Sequence, residues 1–150
     1  MIDKHPLMII KCRDVADVIE AVSFGQIHKL TIAIRGGGHN AAGLGVCDDG
    51  LVIDLSLMRG VHVNPKENTN KAEGGCLLGD LDHATQAFGK AVPTGILAST
   101  GVAGLTLGGG LGHLSRTYGL TIDSLLEADV VLADGTLVTA SDRSHQDLFW

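Results

Sequence analysis

Glycine is the residue that most constrains how this chain can fold. The 150 residues include 21 glycines, about twice the usual share of roughly 7% in globular proteins, and they form two clusters, in residues 36–38 and 95–112. Because glycine has no Cβ, it lets the backbone adopt left-handed angles and approach another group closely. The clusters therefore predict two irregular segments at which the backbone approaches a ligand.

The remaining composition is that of one ordinary soluble domain. Hydrophobic residues make up 45% and charged residues 19% of the chain, which excludes the fibrous and disordered classes. The formal net charge is −6, and no run of basic residues occurs. Nucleic acid is therefore not an expected partner.

Cysteine and histidine usage indicates a reduced, intracellular chain. Cys12, Cys47 and Cys76 are odd in number and widely spaced, which argues against a disulfide framework and against a zinc site. The histidines show no ligand spacing, so no metal site is expected. Residues 1–8 lack the apolar stretch of a signal peptide. We expect a cytoplasmic protein without a membrane partner.

The first third of the chain is predicted to form a small parallel α/β unit. Residues 7–10, 30–34 and 51–55 are short apolar runs typical of buried strands. Asp14 is a candidate N-cap for a helix that would end near Gly25. One apolar face of this helix would carry Val15, Val18, Ile19 and Val22.

The next part is predicted to combine an antiparallel sheet with helices, which makes the fold class α+β. The asparagine-rich residues 64–70 would connect two subdomains, with the break near residues 60–70. A helix capped by Asp80 and ended by Gly89 would follow. Its inward side chains would be Leu81, Ala84, Ala87 and Phe88.

A β-hairpin is predicted over residues 127–140. Its turn would be Asp134-Gly135, since this pair tolerates the positive φ angles of a type I′ turn. Residues 147–150 contain three large apolar side chains, although chain ends are normally polar. We therefore expect the chain to be cut within an element, and we interpret His145 and Asp147 as part of a helical turn there.

The first glycine cluster follows directly on a predicted strand, in the sequence Arg-Gly-Gly-Gly-His-Asn of residues 35–40. Ligands commonly bind at the carboxyl ends of strands in α/β folds, and successive glycine N–H groups can converge on a phosphate. Arg35 would add positive charge. A plain tight turn is the alternative, but it gives no reason for the flanking Arg35 and His39.

Residues 36–41 also match the dinucleotide fingerprint GxGxxA, with Asp54 downstream. A Rossmann-type NAD(P) site needs a helix directly after the glycines. Residues 41–50 contain three further glycines, and each would cost a helix about 1 kcal/mol relative to alanine. This interpretation is therefore the second choice.

The second cluster lies in residues 91–112, a stretch of 22 residues without a charge. The spacing of Gly104 and Gly108 matches a packing motif of membrane helices. Seven glycines and a proline leave few strongly apolar side chains. The stretch instead predicts a buried, extended loop with a short helical piece around an aromatic or phosphate-bearing ligand.

Four linked motifs resemble the FAD-binding (PCMH-type) domain of the vanillyl-alcohol oxidase/p-cresol methylhydroxylase superfamily, in particular its berberine-bridge-enzyme-like branch. They are IRGGGHNAAG (34–43), DDGLVIDLS (48–56), TGVAGLTLGGGLGHLSRTYGLTIDSL (100–125) and ADVVLADG (128–135). The resemblance implies a two-subdomain α+β FAD module over residues 1–150, incomplete at its C-terminus and without the substrate domain of the family.

The resemblance also implies a covalent flavin, with His39 bonded to the 8α-methyl group and residues 35–40 at the pyrophosphate. A second bond from a cysteine, which some relatives form, is excluded because no cysteine follows Cys76. The implied cofactor-binding residues are Arg35, Gly36, Gly37, Gly38, His39, Asn40, Gly43, Gly95, Thr100, Gly101, Gly104, Gly108, Gly109 and Gly112.

The implied activity is that of an FAD-dependent oxidoreductase which oxidises a small hydroxyl-bearing molecule, with oxygen as the expected acceptor. No catalytic acid or base is assigned within residues 1–150, because the substrate domain of the family supplies that group. A non-catalytic flavin-binding module is the alternative from a different functional class.

Overall fold

The structure is a computed structural model that describes residues 2–150. Its first part consists of β1 (Met8–Lys11), α1 (Val15–Ile27), β2 (Ile32–Arg35) and β3 (Leu51–Asp54). The three strands form one parallel sheet in the order β1-β3-β2. The parallel α/β unit predicted from the sequence is therefore confirmed.

Helix α1 covers one face of this sheet. Asp14 caps it as predicted, since its carboxylate accepts a hydrogen bond from the N–H of Asp17 at 3.1 Å. The helix ends at Ile27, two residues past the predicted Gly25, and the missing Cβ of Gly25 lets the helix approach the sheet. A Cβ there would lie 2.5 Å from Cδ1 of Ile32. The buried helix residues are Ala21, Val22 and Gly25, whereas Val15 is exposed.

The core is built around β3, whose four residues are all buried. Leu51 and Ile53 pack against Cys12 and the buried face of α1. Val52 points to the opposite face of the sheet, where it contacts Ala33 and Cys47. An entirely apolar run such as Leu-Val-Ile is therefore explained by burial of the central strand on both faces.

The second part of the chain contains two antiparallel hairpins and short helices. The hairpins are β4 (Val61–Asn64) with β5 (Thr69–Ala72), and β6 (Glu127–Val131) with β7 (Leu137–Ser141). The helices are α2 (Leu78–Gln86), α3 (Val102–Leu107), α4 (Ser115–Tyr118) and α5 (Gln146–Phe149). The predicted α+β class is confirmed, and so is a helical turn around Asp147.

The asparagine-rich residues 64–70 are not a plain connection. Their ends belong to β4 and β5, and only residues 65–68 form the turn between them. The strands have the sequences VHVN and TNKA, which are too short and polar to show a clear alternating pattern. The division into two subdomains near residues 60–70 stays a prediction.

Helix α2 begins earlier than predicted. Leu77 is the N-cap, and Asp80 lies in the first turn, where its Oδ2 accepts a hydrogen bond from the N–H of Leu77 at 2.8 Å. This start places a different set of residues inward: Leu78, Leu81 and Thr85. The prediction was wrong for Ala87 and Phe88, which follow the helix and are exposed.

The β6-β7 hairpin is confirmed, but its turn is not type I′. Gly135 has a φ of 84°, whereas Asp134 is not at positive φ. The N–H of Gly135 donates to the carbonyl of Leu132 at 2.9 Å, and the N–H of Leu132 donates to the carbonyl of Thr136 at 2.8 Å. These bonds define a three-residue loop that ends in a left-handed glycine.

The helices described for residues 2–150 are all too short or too polar to cross a membrane.

Asp80 also forms an ion pair that ties the segment before β4 to α2. Nε of Arg59 donates to Oδ2 of Asp80 at 2.9 Å. The Arg59 guanidinium, with help from the Leu77 N–H, holds the pKa of Asp80 below its ordinary value. A carboxyl group whose pKa is lowered by folding stabilises the fold above its unfolded pKa, and this stabilisation is lost as the pH falls through the folded pKa.

We therefore expect Asp80→Asn to lower the free energy of unfolding at about pH 7 and to reduce its further loss between about pH 5 and pH 2. Urea unfolding across this pH range measures both effects. Asp82→Asn is the matched control, because Asp82 lies exposed on the same helix and its carboxylate accepts no hydrogen bond within residues 2–150. An Asp80→Asn variant with the acid dependence of the unsubstituted chain would contradict the assignment.

Candidate functional site

The candidate site lies at the carboxyl edge of the parallel sheet. Lys11, Asp54 and Arg35 end the three strands in register with one another. A cavity of about 480 Å³ opens at this edge, lined in part by these three side chains and by Arg59. Arg59 is paired with Asp80, which leaves Lys11 and Arg35 around the one carboxylate of Asp54. In a chain with a net charge of −6, this is a local surplus of positive charge, which favours an anionic ligand.

The loop after β2 supplies hydrogen-bond donors at the same edge. Within residues 2–150, no protein group accepts a hydrogen bond from the N–H groups of residues 36–40. Gly38 has a φ of 74°, which a glycine adopts without strain. Consecutive free N–H groups with a left-handed residue among them are typical of a backbone concavity that binds phosphate.

Arg35 lies beside this loop with its charge uncompensated. A Cβ on Gly38 would be 3.3 Å from Nε of Arg35 and 3.4 Å from Nη2, so the guanidinium lies next to the turn. None of the ion pairs found in residues 2–150 includes Arg35. A phosphate on the loop would therefore meet both backbone donors and a free cation.

His39 is exposed in the middle of this donor-rich loop. In the part of the chain that the structure describes, its ring makes no hydrogen bond. The imidazole is therefore accessible to a group that binds at the loop.

The two glycine clusters meet at one contact. A Cβ on Gly37 would lie 2.4 Å from the backbone N of Gly101, and a Cβ on Gly101 would lie 2.5 Å from the N of Gly37. The second cluster is held in this position by the start of α2. The N–H of Leu78 donates to the backbone carbonyl of Thr100 at 2.9 Å. Only residues without Cβ atoms permit this approach.

Several other glycines are explained by contacts of the chain with itself. A Cβ on Gly112 would lie 1.6 Å from the carbonyl oxygen of Thr94 and 3.1 Å from Cα of Gly95, and one on Gly110 would lie 2.2 Å from Oγ1 of Thr121. Gly43 has a φ of 72°, and Gly109 has a φ of 99°. These residues shape the two segments.

Gly104 and Gly108 have no such explanation. A Cβ on Gly104 would have no neighbour within 4 Å, and one on Gly108 would make only ordinary contacts. A glycine inside a helix costs about 1 kcal/mol relative to alanine, yet no packing contact within residues 2–150 requires Gly104. Its open face is a place where a ligand can approach the backbone of α3.

The expectation that residues 91–112 are buried was only partly right. The segment is an extended loop with the short helix α3, as predicted. Leu105 is half-buried, but four other large apolar side chains are exposed by 62% to 72%, namely Ile96, Leu97, Leu107 and Leu111.

The dinucleotide interpretation of residues 36–41 was wrong. No helix lies between β2 and β3, and the intervening residues form bends and turns. A Rossmann-type site would need a helix N-terminus at this point.

Two cavity-lining cations were missed by the sequence analysis, namely Lys11 and Arg59. Lys11 could have been found, since it ends the first strand of a parallel unit whose strand ends share one edge. Arg59 carries no such signal, because its position depends on the ion pair with Asp80.

Comparison with known proteins agrees with this geometry. A family model described as "FAD binding domain" matches residues 6–141. The chain belongs to this family. It is 39% identical over 145 residues to an FAD-linked oxidoreductase of Dictyostelium discoideum, covering 97% of this chain and 32% of the relative. The resemblance drawn from the four motifs is therefore confirmed.

Solved structures give the same result. The crystal structure of 6-hydroxy-D-nicotine oxidase from Arthrobacter nicotinovorans matches with a TM-score of 0.95 and 37% identity, over 98% of this chain and 32% of that one. Glucooligosaccharide oxidase from Acremonium strictum matches with a TM-score of 0.90 and 35% identity, over 99% and 32%. The chain thus spans about a third of the length of these relatives.

The contact between the glycine clusters generates a prediction. We expect Gly101→Ala to destabilise the fold by about 1–3 kcal/mol, the usual cost of forcing extra atoms into a packed site, because its Cβ would meet the backbone of Gly37. Gly104→Ala is the matched control, since its Cβ has open space and alanine favours the helix. Urea unfolding compares the two variants, and equal destabilisation would contradict the packing account.

Proposed function

We propose that this chain is the FAD-binding portion of a flavin-dependent oxidoreductase and that its flavin is attached covalently through His39. The observation that carries the proposal is the row of free N–H groups in residues 36–40 beside the unpaired guanidinium of Arg35. This donor set fits the diphosphate of FAD, which carries negative charge and several acceptor oxygens.

In this proposal the two glycine clusters hold different parts of the cofactor. Arg35, Gly36, Gly37, Gly38 and Asn40 would bind the diphosphate, with His39 at the flavin ring. Thr100, Gly101, Gly104 and Gly108 would lie along the flavin, where the open face of Gly104 leaves room for it. Gly43, Gly95, Gly109 and Gly112 would contribute by shaping the two segments.

The exposed imidazole of His39 supports the covalent attachment. The net change replaces a C–H bond of the 8α-methyl group and the imidazole N–H bond by one C–N bond. Two electrons and two protons pass to dioxygen, which becomes hydrogen peroxide. The related glucooligosaccharide oxidase is described with a 6-S-cysteinyl, 8α-N1-histidyl FAD. Because no cysteine follows Cys76 here, we propose the histidyl bond alone.

The proposed reaction is the oxidation of a small hydroxyl-bearing molecule, with dioxygen as the electron acceptor. Bound FAD supplies the hydride acceptor, and this chain contributes binding and orientation of the cofactor. An (R)-6-hydroxynicotine oxidase of Paenarthrobacter nicotinovorans is 37% identical over 147 residues, which supports the reaction class. The substrate domain and the group that takes the substrate proton would belong to the length of the relatives that this chain does not span.

A non-catalytic flavin-binding module is the second candidate, favoured by the exposed apolar side chains around α3. The two candidates differ in turnover. Substrate-dependent bleaching of the flavin with release of peroxide would exclude the non-catalytic module.

Substitution of His39 tests the attachment. We expect the unsubstituted chain, incubated with FAD and precipitated with acid, to keep yellow colour in the pellet, and His39→Ala to release it. Before acid treatment, His39→Ala should still bind FAD, because the proposed diphosphate donors are backbone groups. His62→Ala is the control, since His62 is exposed on β4, outside the site. A coloured His39→Ala pellet would exclude His39 as the attachment residue.

A further inference from the structure

The N-terminal residues cross the loop that carries His39. We call residues 2–5 the N-terminal strap and residues 36–50 the attachment loop. The attachment loop connects β2 to β3 and contains no helix or strand. A connection of this length without regular structure depends on specific contacts for a defined conformation.

Few of those contacts come from within the loop. The N–H of Gly43 donates to the carbonyl of Asn40 at 3.1 Å, and the N–H of Val46 donates to Gly43 at 3.4 Å. Oδ1 of Asn40 accepts a hydrogen bond from the N–H of Leu44 at 3.1 Å. These bonds form local turns, and none of them ties the loop to the sheet.

Cys47 anchors the end of the loop to the sheet, where it packs against Ala33 and Val52, and the strap supplies further long-range ties. Nζ of Lys4 donates to the carbonyl of Gly43 at 3.1 Å and to the carbonyl of Val46 at 3.2 Å. The N–H of His5 donates to Oδ1 of Asp48 at 2.7 Å, and its carbonyl accepts from the loop N–H of residue 49 at 2.9 Å. A Cβ on Gly43 would meet Ile2 at 2.7 Å, so the strap also packs directly on the loop.

Lys4 differs from the other ties because it is a charged side chain. Lys4 is half-buried, and its ammonium forms no ion pair within residues 2–150. Two of its three donors are used on carbonyls of the attachment loop. Hydrogen bonds to charged groups are stronger than neutral ones. Because Lys4 bonds both carbonyls, it holds Gly43 and Val46 at a fixed distance from each other. This in turn restrains the backbone that follows Asn40.

We infer that Lys4 is a positioning residue, which holds the attachment loop in the conformation that presents His39 to the flavin. The inference rests on the proposed function, since it assigns Lys4 a role in the attachment of FAD. Lys4 touches neither the proposed diphosphate donors nor the imidazole. It acts through the loop carbonyls alone.

Hydrogen exchange tests the effect on the loop. We expect Lys4→Met, which keeps the apolar stem and loses both ammonium hydrogen bonds, to speed exchange of the bonded amides of Gly43, Leu44 and Val46 by at least about tenfold, since the loss of one charged hydrogen bond already implies that factor. Lys4→Arg, which keeps a cationic donor, should restore protection. Lys66→Met is the control, because Lys66 is exposed in the β4-β5 turn. Unchanged exchange in Lys4→Met would overturn the inference.

The rate of flavin attachment separates positioning from plain stabilisation. The flavin kept in acid-precipitated pellets is followed over time, and the affinity for FAD is measured before attachment by quenching of flavin fluorescence. We expect Lys4→Met to slow attachment roughly tenfold with FAD affinity changed less than threefold, and Lys4→Arg to recover most of the rate. Attachment at the unsubstituted rate, or a loss of affinity equal to the loss of rate, would overturn the inference for Lys4.

This design also distinguishes the inference from the proposal on which it rests. A colourless pellet from the unsubstituted chain would contradict the covalent bond to His39 and, with it, a role for Lys4 in attachment. A coloured pellet with equal rates in the unsubstituted chain and in Lys4→Met would contradict only the role of Lys4.

Discussion

The close approach of Gly37 and Gly101 is the constraint on which the candidate site depends. Two backbones meet where either Cβ would lie within 2.5 Å of the opposite backbone nitrogen, so this contact excludes every residue except glycine. It joins a loop at the end of the parallel sheet to a loop held by α2. One concave surface results from two segments that lie more than 60 residues apart in the sequence.

The chain concentrates hydrogen-bond donors and positive charge beside this contact. In the part of the chain that the structure describes, the N–H groups of residues 36–40 have no protein acceptor. Arg35 ends β2 beside them, and Lys11 ends β1 at the same edge. The sheet therefore supplies the cations and the glycine loop supplies the dipoles, which together favour a phosphate-bearing ligand.

The sequence predicted two kinds of element correctly: those stabilised by contacts between neighbouring residues, and the strand whose residues are all buried. The apolar run of β3, the Asp14 cap and the position of the Asp134-Gly135 turn, although not its type, could be predicted because each signal acts within a few residues. The β4-β5 hairpin was missed because its short strands are polar. The inward face of α2 was predicted wrongly because Asp80 is not the N-cap. It lies in the first turn of the helix, where its carboxylate accepts a hydrogen bond from the N–H of Leu77. Burial of residues 91–112 was overestimated, since apolar composition alone does not show what packs on a side chain.

The candidate site divides in the same way. Residues 35–40 could be singled out because their chemistry is contiguous in the sequence, and Lys11 could be added because it ends a parallel strand, whereas Lys4 and Arg59 reach the site or its loop only through tertiary contacts. Nuclear magnetic resonance tests the central claim most directly. On titration of the His39→Ala chain with FAD, we predict that the amide resonances of residues 36–40 and 101–104 shift together with one dissociation constant, while those of residues 66–68 in the β4-β5 turn stay unchanged. Shifts confined to one glycine cluster, or two clusters with different dissociation constants, would contradict a single shared site.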